Sequence, residues 1–130
     1  MKCFITVLLA LSLLGCATND VDKRKHERAT AYAELSPDMK TLVDQHQIKV
    51  GMPMDGVYIA WGKPAEVLQS ETEGGADIVW LYYGGWMEET RYWGRRYPLR
   101  DYQPRTYVSA EVVFVNGLVK SWRTLPQPVY

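Results

Sequence analysis

The apolar pattern of this chain changes its period at Pro64, and that change limits the fold to a helical part followed by a sheet. Before Pro64, apolar residues recur every three or four positions, which is typical of amphipathic helices. After it they follow extended patterns separated by turn residues. Asn116-Gly117 is the strongest hairpin signal, because both central residues of a type I′ turn need a positive φ. The pattern predicts an α+β sandwich in which one face of an antiparallel sheet covers the helices.

Two helices are predicted in the first half of the domain. The first begins at Ser36-Pro37-Asp38, which offers a hydroxyl cap, a proline for the first turn and an acid near the positive helix end. It ends near Gln47, and the second helix is stopped by Gly62 and Pro64. Gly56 inside the second helix costs about 1 kcal/mol relative to alanine, so tertiary packing must hold that helix. The predicted apolar faces are Met39, Leu42, Val43 and His46 on the first helix and Met54, Val57, Tyr58 and Trp61 on the second.

The extended segments after Pro64 are predicted strands. A turn at residues 73–77 separates the first two of them, and Asn116-Gly117 separates the last two. Trp61 and Trp80 fall where the helix and strand patterns face inward, so both are predicted core residues. The predicted strands cover residues 66–71, 78–83, 107–115 and 118–124.

The first sixteen residues resemble the signal of a bacterial lipoprotein precursor. A basic start at Lys2 precedes an apolar run over residues 4–14, and Cys16 follows closely. The run is too short to cross a bilayer, which takes about 20 apolar residues. The resemblance implies removal of residues 1–15 and lipidation of Cys16, by acyl chains such as palmitate. Ala17 in place of aspartate implies a lipid-anchored position on the periplasmic face of the outer membrane.

The mature chain is predicted to begin with a flexible tether. Residues 16–33 are mostly polar or charged and have almost no apolar periodicity, which is typical of a solvated segment. One domain then covers residues 34–130. Cys3 leaves with the signal and Cys16 carries the lipid, so no disulfide forms in the mature monomer. The fold must therefore rely on its own core.

The charge of the chain is balanced, with 15 Lys and Arg against 15 Asp and Glu. Loss of Lys2 with the signal leaves a slightly acidic mature protein. Bulk electrostatics therefore predicts no polyanionic partner. Nucleic acid is not expected as a partner, because the implied periplasmic location separates the protein from it.

Several short motifs together resemble the SmpA/OmlA family of outer-membrane lipoproteins, also called BamE-like. That resemblance implies two helices packed on a three-stranded antiparallel sheet, which could be extended here. It also implies a lipid-anchored protein of envelope biogenesis, whose partner could be the β-barrel assembly machinery. The motifs are Val50-Gly51-Met52, Val57, Ala60-Trp61-Gly62-Lys63-Pro64, Trp80-Leu81-Tyr82 and residues 112–119 around Asn116-Gly117.

Residues 84–106 interleave aromatic side chains with arginines, a composition that protein interfaces favour. Three targets fit this chemistry: an envelope protein complex, anionic lipid headgroups, or an anionic cell-wall or lipopolysaccharide group. The alternative is structural, with aromatics filling the core, arginines pairing with nearby acids, and residues 92–97 forming a hairpin tip that extends two strands. The predicted partner-binding residues are Trp86, Arg91, Tyr92, Trp93, Arg95, Arg96, Tyr97 and Arg100.

No catalytic or metal-binding constellation is predicted, and no cofactor is implied. His46 lies on an apolar helix stripe, where a structural histidine is the usual reading. Glu88 and Glu89 are paired carboxylates of the kind hydrolases use, yet neighbours on an extended chain point to opposite faces. The sequence therefore favours a non-catalytic binding or scaffold module. The alternative is a regulator or inhibitor of an envelope enzyme, or such an enzyme itself.

Overall fold

A computed structural model describes residues 20–129. The predictions for residues 1–19, namely the signal peptide and the lipidation of Cys16, lie outside the described residues. No helix within the described part of the chain is long and apolar enough to cross a membrane.

The described chain is α+β, as predicted, with helices followed by one antiparallel meander. Its sheet has four strands in the order β1-β2-β3-β4, and two short helices precede the two predicted ones. The elements are α1 (Asp20–Glu27), α2 (Ala29–Glu34), α3 (Pro37–Asp44), α4 (Met54–Trp61), β1 (Glu66–Thr72), β2 (Gly75–Trp93), β3 (Pro98–Val115) and β4 (Leu118–Thr124).

Helix α3 begins as its sequence predicts and ends earlier. The Ser36 hydroxyl accepts a hydrogen bond from the Met39 amide, which caps the first turn. The chain leaves the helix after Asp44, because His46 adopts a left-handed conformation with φ of 58°. His46 is therefore exposed beyond the helix rather than on its apolar face. The carbonyl of His46 accepts a 2.9 Å hydrogen bond from the Trp61 indole, so this contact is made by the backbone of His46 and not by its ring.

Gly56 allows close packing inside α4. A Cβ at this position would lie 2.7 Å from Cγ of Met52, which is itself fully buried, and 3.5 Å from Cδ2 of Leu35. The low helix propensity of glycine is thus offset by contacts that only glycine permits. The helix ends at Gly62, whose φ of 87° suits glycine.

The core lies between α4 and one face of the sheet, which we call the helix-side face. Trp80 and Phe114 meet on it with ring centroids 4.8 Å apart, and Trp80 is buried as predicted. Trp61 is only partly buried and packs edge-on against Tyr82 and Trp122. The buried apolar residues are Val21, Leu35, Val43, Ile48, Met52, Val57, Ile59, Ala60, Trp80, Ala110, Val112, Phe114 and Val119.

The prediction of a flexible tether up to residue 33 is wrong for residues 20–33, which form α1 and most of α2. Val21 is only 1% exposed and belongs to the core. The Arg24 guanidinium donates to the carbonyls of Ile59 (2.8 Å) and Ala60 (3.2 Å), near the end of α4. Such charge-assisted bonds to the last carbonyls of a helix are favourable because that end carries partial negative charge.

We expect Val21→Ala to lower the free energy of unfolding by roughly 2 kcal/mol, because it removes two buried methyl groups and leaves a cavity. Val50→Ala is the matched control, since Val50 is 61% exposed and its truncation should change stability by less than about 0.5 kcal/mol. Urea denaturation checks both variants. Equal stability of the two would mean that α1 is not packed on the domain.

Candidate functional site

The segment at residues 84–106 is a two-stranded ribbon that projects from the sheet. Residues 84–93 of β2 pair with residues 98–107 of β3, from Gly84↔Tyr107 to Trp93↔Pro98. The edge strands stop before this region, because β1 pairs with β2 only to Leu81 and β4 pairs with β3 only to Ala110. At about 3.4 Å per residue the ribbon is roughly 30 Å long. The predicted alternative, a hairpin that extends two strands, is confirmed.

A β-bulge marks the root of the ribbon. The register shifts between Tyr82 and Tyr83, leaving Ser109 as the extra residue on β3. The Ser109 hydroxyl donates to the Tyr82 carbonyl at 3.0 Å. Just beyond it, the Tyr107 ring covers Gly84, where a Cβ would lie 2.8 Å from the ring. Aromatic coverage of a strand glycine pins the register at this point.

The ribbon continues the two faces of the sheet, because successive strand residues point to opposite sides. Trp86, Glu88 and Tyr92 continue the helix-side face. Arg91 and Trp93 lie on the opposite face, which no helix among the described residues covers. Arg100 also lies on the opposite face, while Arg95, Arg96 and Tyr97 lie in the turn beyond the strands. The eight predicted partner-binding residues therefore share one hairpin but not one face.

Glu89 is the centre of an ion-pair cluster on the opposite face. Its carboxylate accepts from Arg91 Nε at 2.7 Å, lies 3.5 Å from Arg100 Nε, and accepts from the Tyr102 hydroxyl at 3.4 Å. The hydrogen bond from Arg91, with the positive charge of both arginines, lowers the pKa of Glu89. On the helix-side face, Glu88 accepts from Arg105 Nε at 2.6 Å. Ribbon charges therefore neutralise one another along its length.

These contacts leave no paired acid and base in the ribbon. Glu88 and Glu89 point to opposite faces and each binds arginine, so they cannot act on one substrate atom. In residues 20–129 no group of three or more His, Cys, Asp or Glu side chains is arranged to hold a metal ion.

The tip of the ribbon, residues 92–97, is the most exposed aromatic cluster of the described chain. Trp93 is 83% exposed, Tyr97 63% and Tyr92 52%. The turn is closed by a hydrogen bond from the Gly94 amide to the Tyr97 carbonyl at 3.1 Å. Neither Arg95 nor Arg96 forms an ion pair with another described residue. The tip therefore presents apolar rings and positive charge to its surroundings.

The C-terminal residues pack beside the ribbon root, which sequence reasoning did not anticipate. The Leu125 amide donates to the Ser109 carbonyl at 2.8 Å. Pro128 then lines a groove of about 310 Å³ with Trp86, Glu88 and Arg105. Trp86 is consequently half-buried and lies apart from the tip. A proline-rich tail carries no periodicity that would have predicted this contact.

Comparison of the chain with protein-family models, curated proteins and solved structures found no significant match.

We expect the ion pairs of Glu89 to be lost only at low pH. The pKa of Glu89 is lowered in the folded state, so its ion pairs persist above the ordinary value of 4.5 and are lost as the pH falls through the lowered value. The NMR signals of the Arg91 and Tyr102 side chains should follow this transition with a midpoint below 4.5. Glu89→Gln should abolish it, whereas Glu73→Gln, at an exposed turn residue, should not. A midpoint at or above 4.5 would show that the cluster does not form.

Proposed function

We propose that this chain is a non-catalytic outer-membrane lipoprotein that acts as a binding or scaffold module of assembly-factor type. The observation that carries this proposal is the ribbon, which leaves the core and ends in exposed aromatic rings beside Arg95 and Arg96, two arginines that pair with no acid among residues 20–129. Exposed apolar clusters of this kind mark interaction sites, and aromatic and arginine side chains contribute most to binding free energy. The function is therefore contact with an envelope partner, not chemistry on a substrate.

Two features of the chain support the cellular location. Residues 1–16 resemble a lipoprotein signal ending at Cys16, and the core motifs resemble SmpA/OmlA lipoproteins, some of which serve the β-barrel assembly machinery. A lipid anchor confines the domain to the membrane surface and raises its effective concentration near membrane-bound partners. Even a small contact surface could then be occupied.

A regulator or inhibitor of an envelope enzyme is the second candidate. The observation that favours it is the narrow projecting tip, since its six residues carry three exposed rings and fit a cleft better than a flat surface. This candidate uses the same side chains at the tip, so identification of the bound partner separates it from the scaffold function.

We expect Cys16→Ser to abolish incorporation of labelled palmitate and to remove the protein from the outer-membrane fraction, because the acyl chains have no other attachment site. Ser12→Ala in the apolar run is the control and should leave both unchanged. Metabolic labelling followed by density-gradient fractionation provides the measurement. Labelling that persists in Cys16→Ser would contradict the anchor.

We expect Glu88→Gln combined with Glu89→Gln to retain function in a strain that lacks this protein, whereas Trp93→Ala combined with Arg95→Gln and Arg96→Gln should lose it. The glutamine pair removes the only adjacent carboxylates of the ribbon, which an enzyme would need. Restoration of resistance to bile salts measures function, and circular dichroism of the purified proteins controls for folding. Loss of function in the folded glutamine pair alone would contradict a non-catalytic role.

A further inference from the structure

The ribbon tip carries a one-sided charge as well as exposed rings. From Thr90 to Arg100 the chain has four arginines and no acidic residue. Arg91 and Arg100 are held by Glu89, so the charge free to act outside the ribbon belongs to Arg95 and Arg96. Tyrosine and tryptophan with arginine between them match the membrane interface, where rings lie at headgroup depth and guanidinium groups bind phosphates.

The docking of α1 restricts how far the domain can lie from a lipid at Cys16. Helix α1 begins at Asp20 and is fixed by buried Val21, so only three residues separate Cys16 from the folded domain. The four steps along the chain from Cys16 to Asp20 span at most about 14 Å. A flexible tether through residue 33 would have allowed a much longer reach.

The start of α1 is next to the ribbon root. Asp20 lines a groove of about 590 Å³ together with Tyr82, Ser109 and Ala110, the residues at the bulge where the ribbon leaves the sheet. A lipid at Cys16 would therefore be attached within about 14 Å of Asp20, across this groove from the root. A ribbon of roughly 30 Å is long enough to reach from the root to a surface that holds this lipid.

We infer that the ribbon tip docks on the phospholipid bilayer that carries the anchor, with Trp93, Tyr97 and Tyr92 at headgroup depth and Arg95 and Arg96 on lipid phosphates. This inference rests on the proposed lipidation of Cys16. It names the partner of the tip, and it gives the domain a second attachment to the membrane. The root and the tip then hold the ribbon along the surface and fix the orientation of the sheet.

Interface size favours a bilayer over a protein as the occupant. Three rings at about 150–250 Å² each offer roughly 450–750 Å², below the ~800 Å² per partner of a typical stable protein complex. The arginines nearer the root add little free charge, because Glu88 and Glu89 already form ion pairs with them. A membrane needs no larger contact, since the lipid holds the tip near the surface.

The test uses the lipidated mature protein in vesicles, with a polarity-sensitive fluorophore on a single introduced thiol. Tyr97→Cys places the label at the tip, and Leu118→Cys, half-exposed beside the Asn116-Gly117 turn at the other end of β3, is the control. Vesicles contain phosphatidylcholine alone or with one third phosphatidylserine, with or without headgroup-proximal bromine. Flotation with the vesicles shows whether the protein is anchored to the bilayer, and the emission of the label shows whether the tip is in water or in the bilayer.

We expect the label at Tyr97 to shift to shorter wavelength and to be quenched by brominated lipid, whereas the label at Leu118 stays in water. Arg95→Gln with Arg96→Gln should lower the docked-to-free ratio of the tip about thirtyfold in phosphatidylserine vesicles.

A protein that floats with a water-exposed tip would overturn the inference while leaving the anchor intact. Burial of the tip only after addition of envelope proteins would overturn it in favour of a protein partner. A protein that does not float would overturn both the anchor and this inference.

Discussion

Burial of the helix-side face of the sheet against α4 is the contact on which the other features depend. Trp80 and Phe114 meet on this face, and Val57 and Ile59 of α4 belong to the same fully packed cluster. A strand alternates its side chains with a period of two, so this contact decides which residues of β2 face the helices along its whole length, and which residues of β3 do so as far as the bulge at Ser109. Beyond Ser109 the alternation of β3 is shifted by one residue, and the two faces continue without a helix to cover them.

Outside the core, the ribbon is held by the backbone hydrogen bonds between its two strands and by contacts among its own side chains. Glu88 and Glu89 form exposed ion pairs with arginines of the ribbon, which contribute little to stability in water, and the Tyr107 ring covers Gly84 where the ribbon begins. At the tip, by contrast, the rings are exposed, and Arg95 and Arg96 form no ion pair within the described part of the chain. The same hairpin thus has two parts: strands whose charges neutralise one another, and a tip that is available for contact. Helix α1 is docked on the domain through Val21 and Arg24, and its first residue, Asp20, lines a groove together with residues at the root of the ribbon.

The sequence predicted the elements whose signals are local. Ser36 caps α3, α4 stops at Gly62 as predicted, and the Asn116-Gly117 turn leads into β4 with positive φ at both residues. These features need only a cap, a helical period or a left-handed turn. The aromatic and arginine composition of the ribbon was recognisable as a candidate site in the same way.

The features that the sequence did not predict depend on distant residues. Helix α1 carries one buried apolar residue, Val21, and its guanidinium bonds reach carbonyls 35 residues away, so no local period indicated it. The strands of the ribbon were predicted only as an alternative, because both of its faces are largely solvated and little apolar alternation remains to indicate them. The contact of Pro128 with the groove beside Trp86 likewise requires the tertiary fold.

The most direct test of contact through the tip is photocrosslinking in living cells, with a photoreactive amino acid in place of Trp93 and, as an exposed control, in place of Leu118. Mass spectrometry identifies the adducts. This account predicts a specific adduct at position 93, with phospholipid as its partner, and none at position 118. Equal labelling at the two positions, or no adduct at position 93, would contradict a contact function of the ribbon tip.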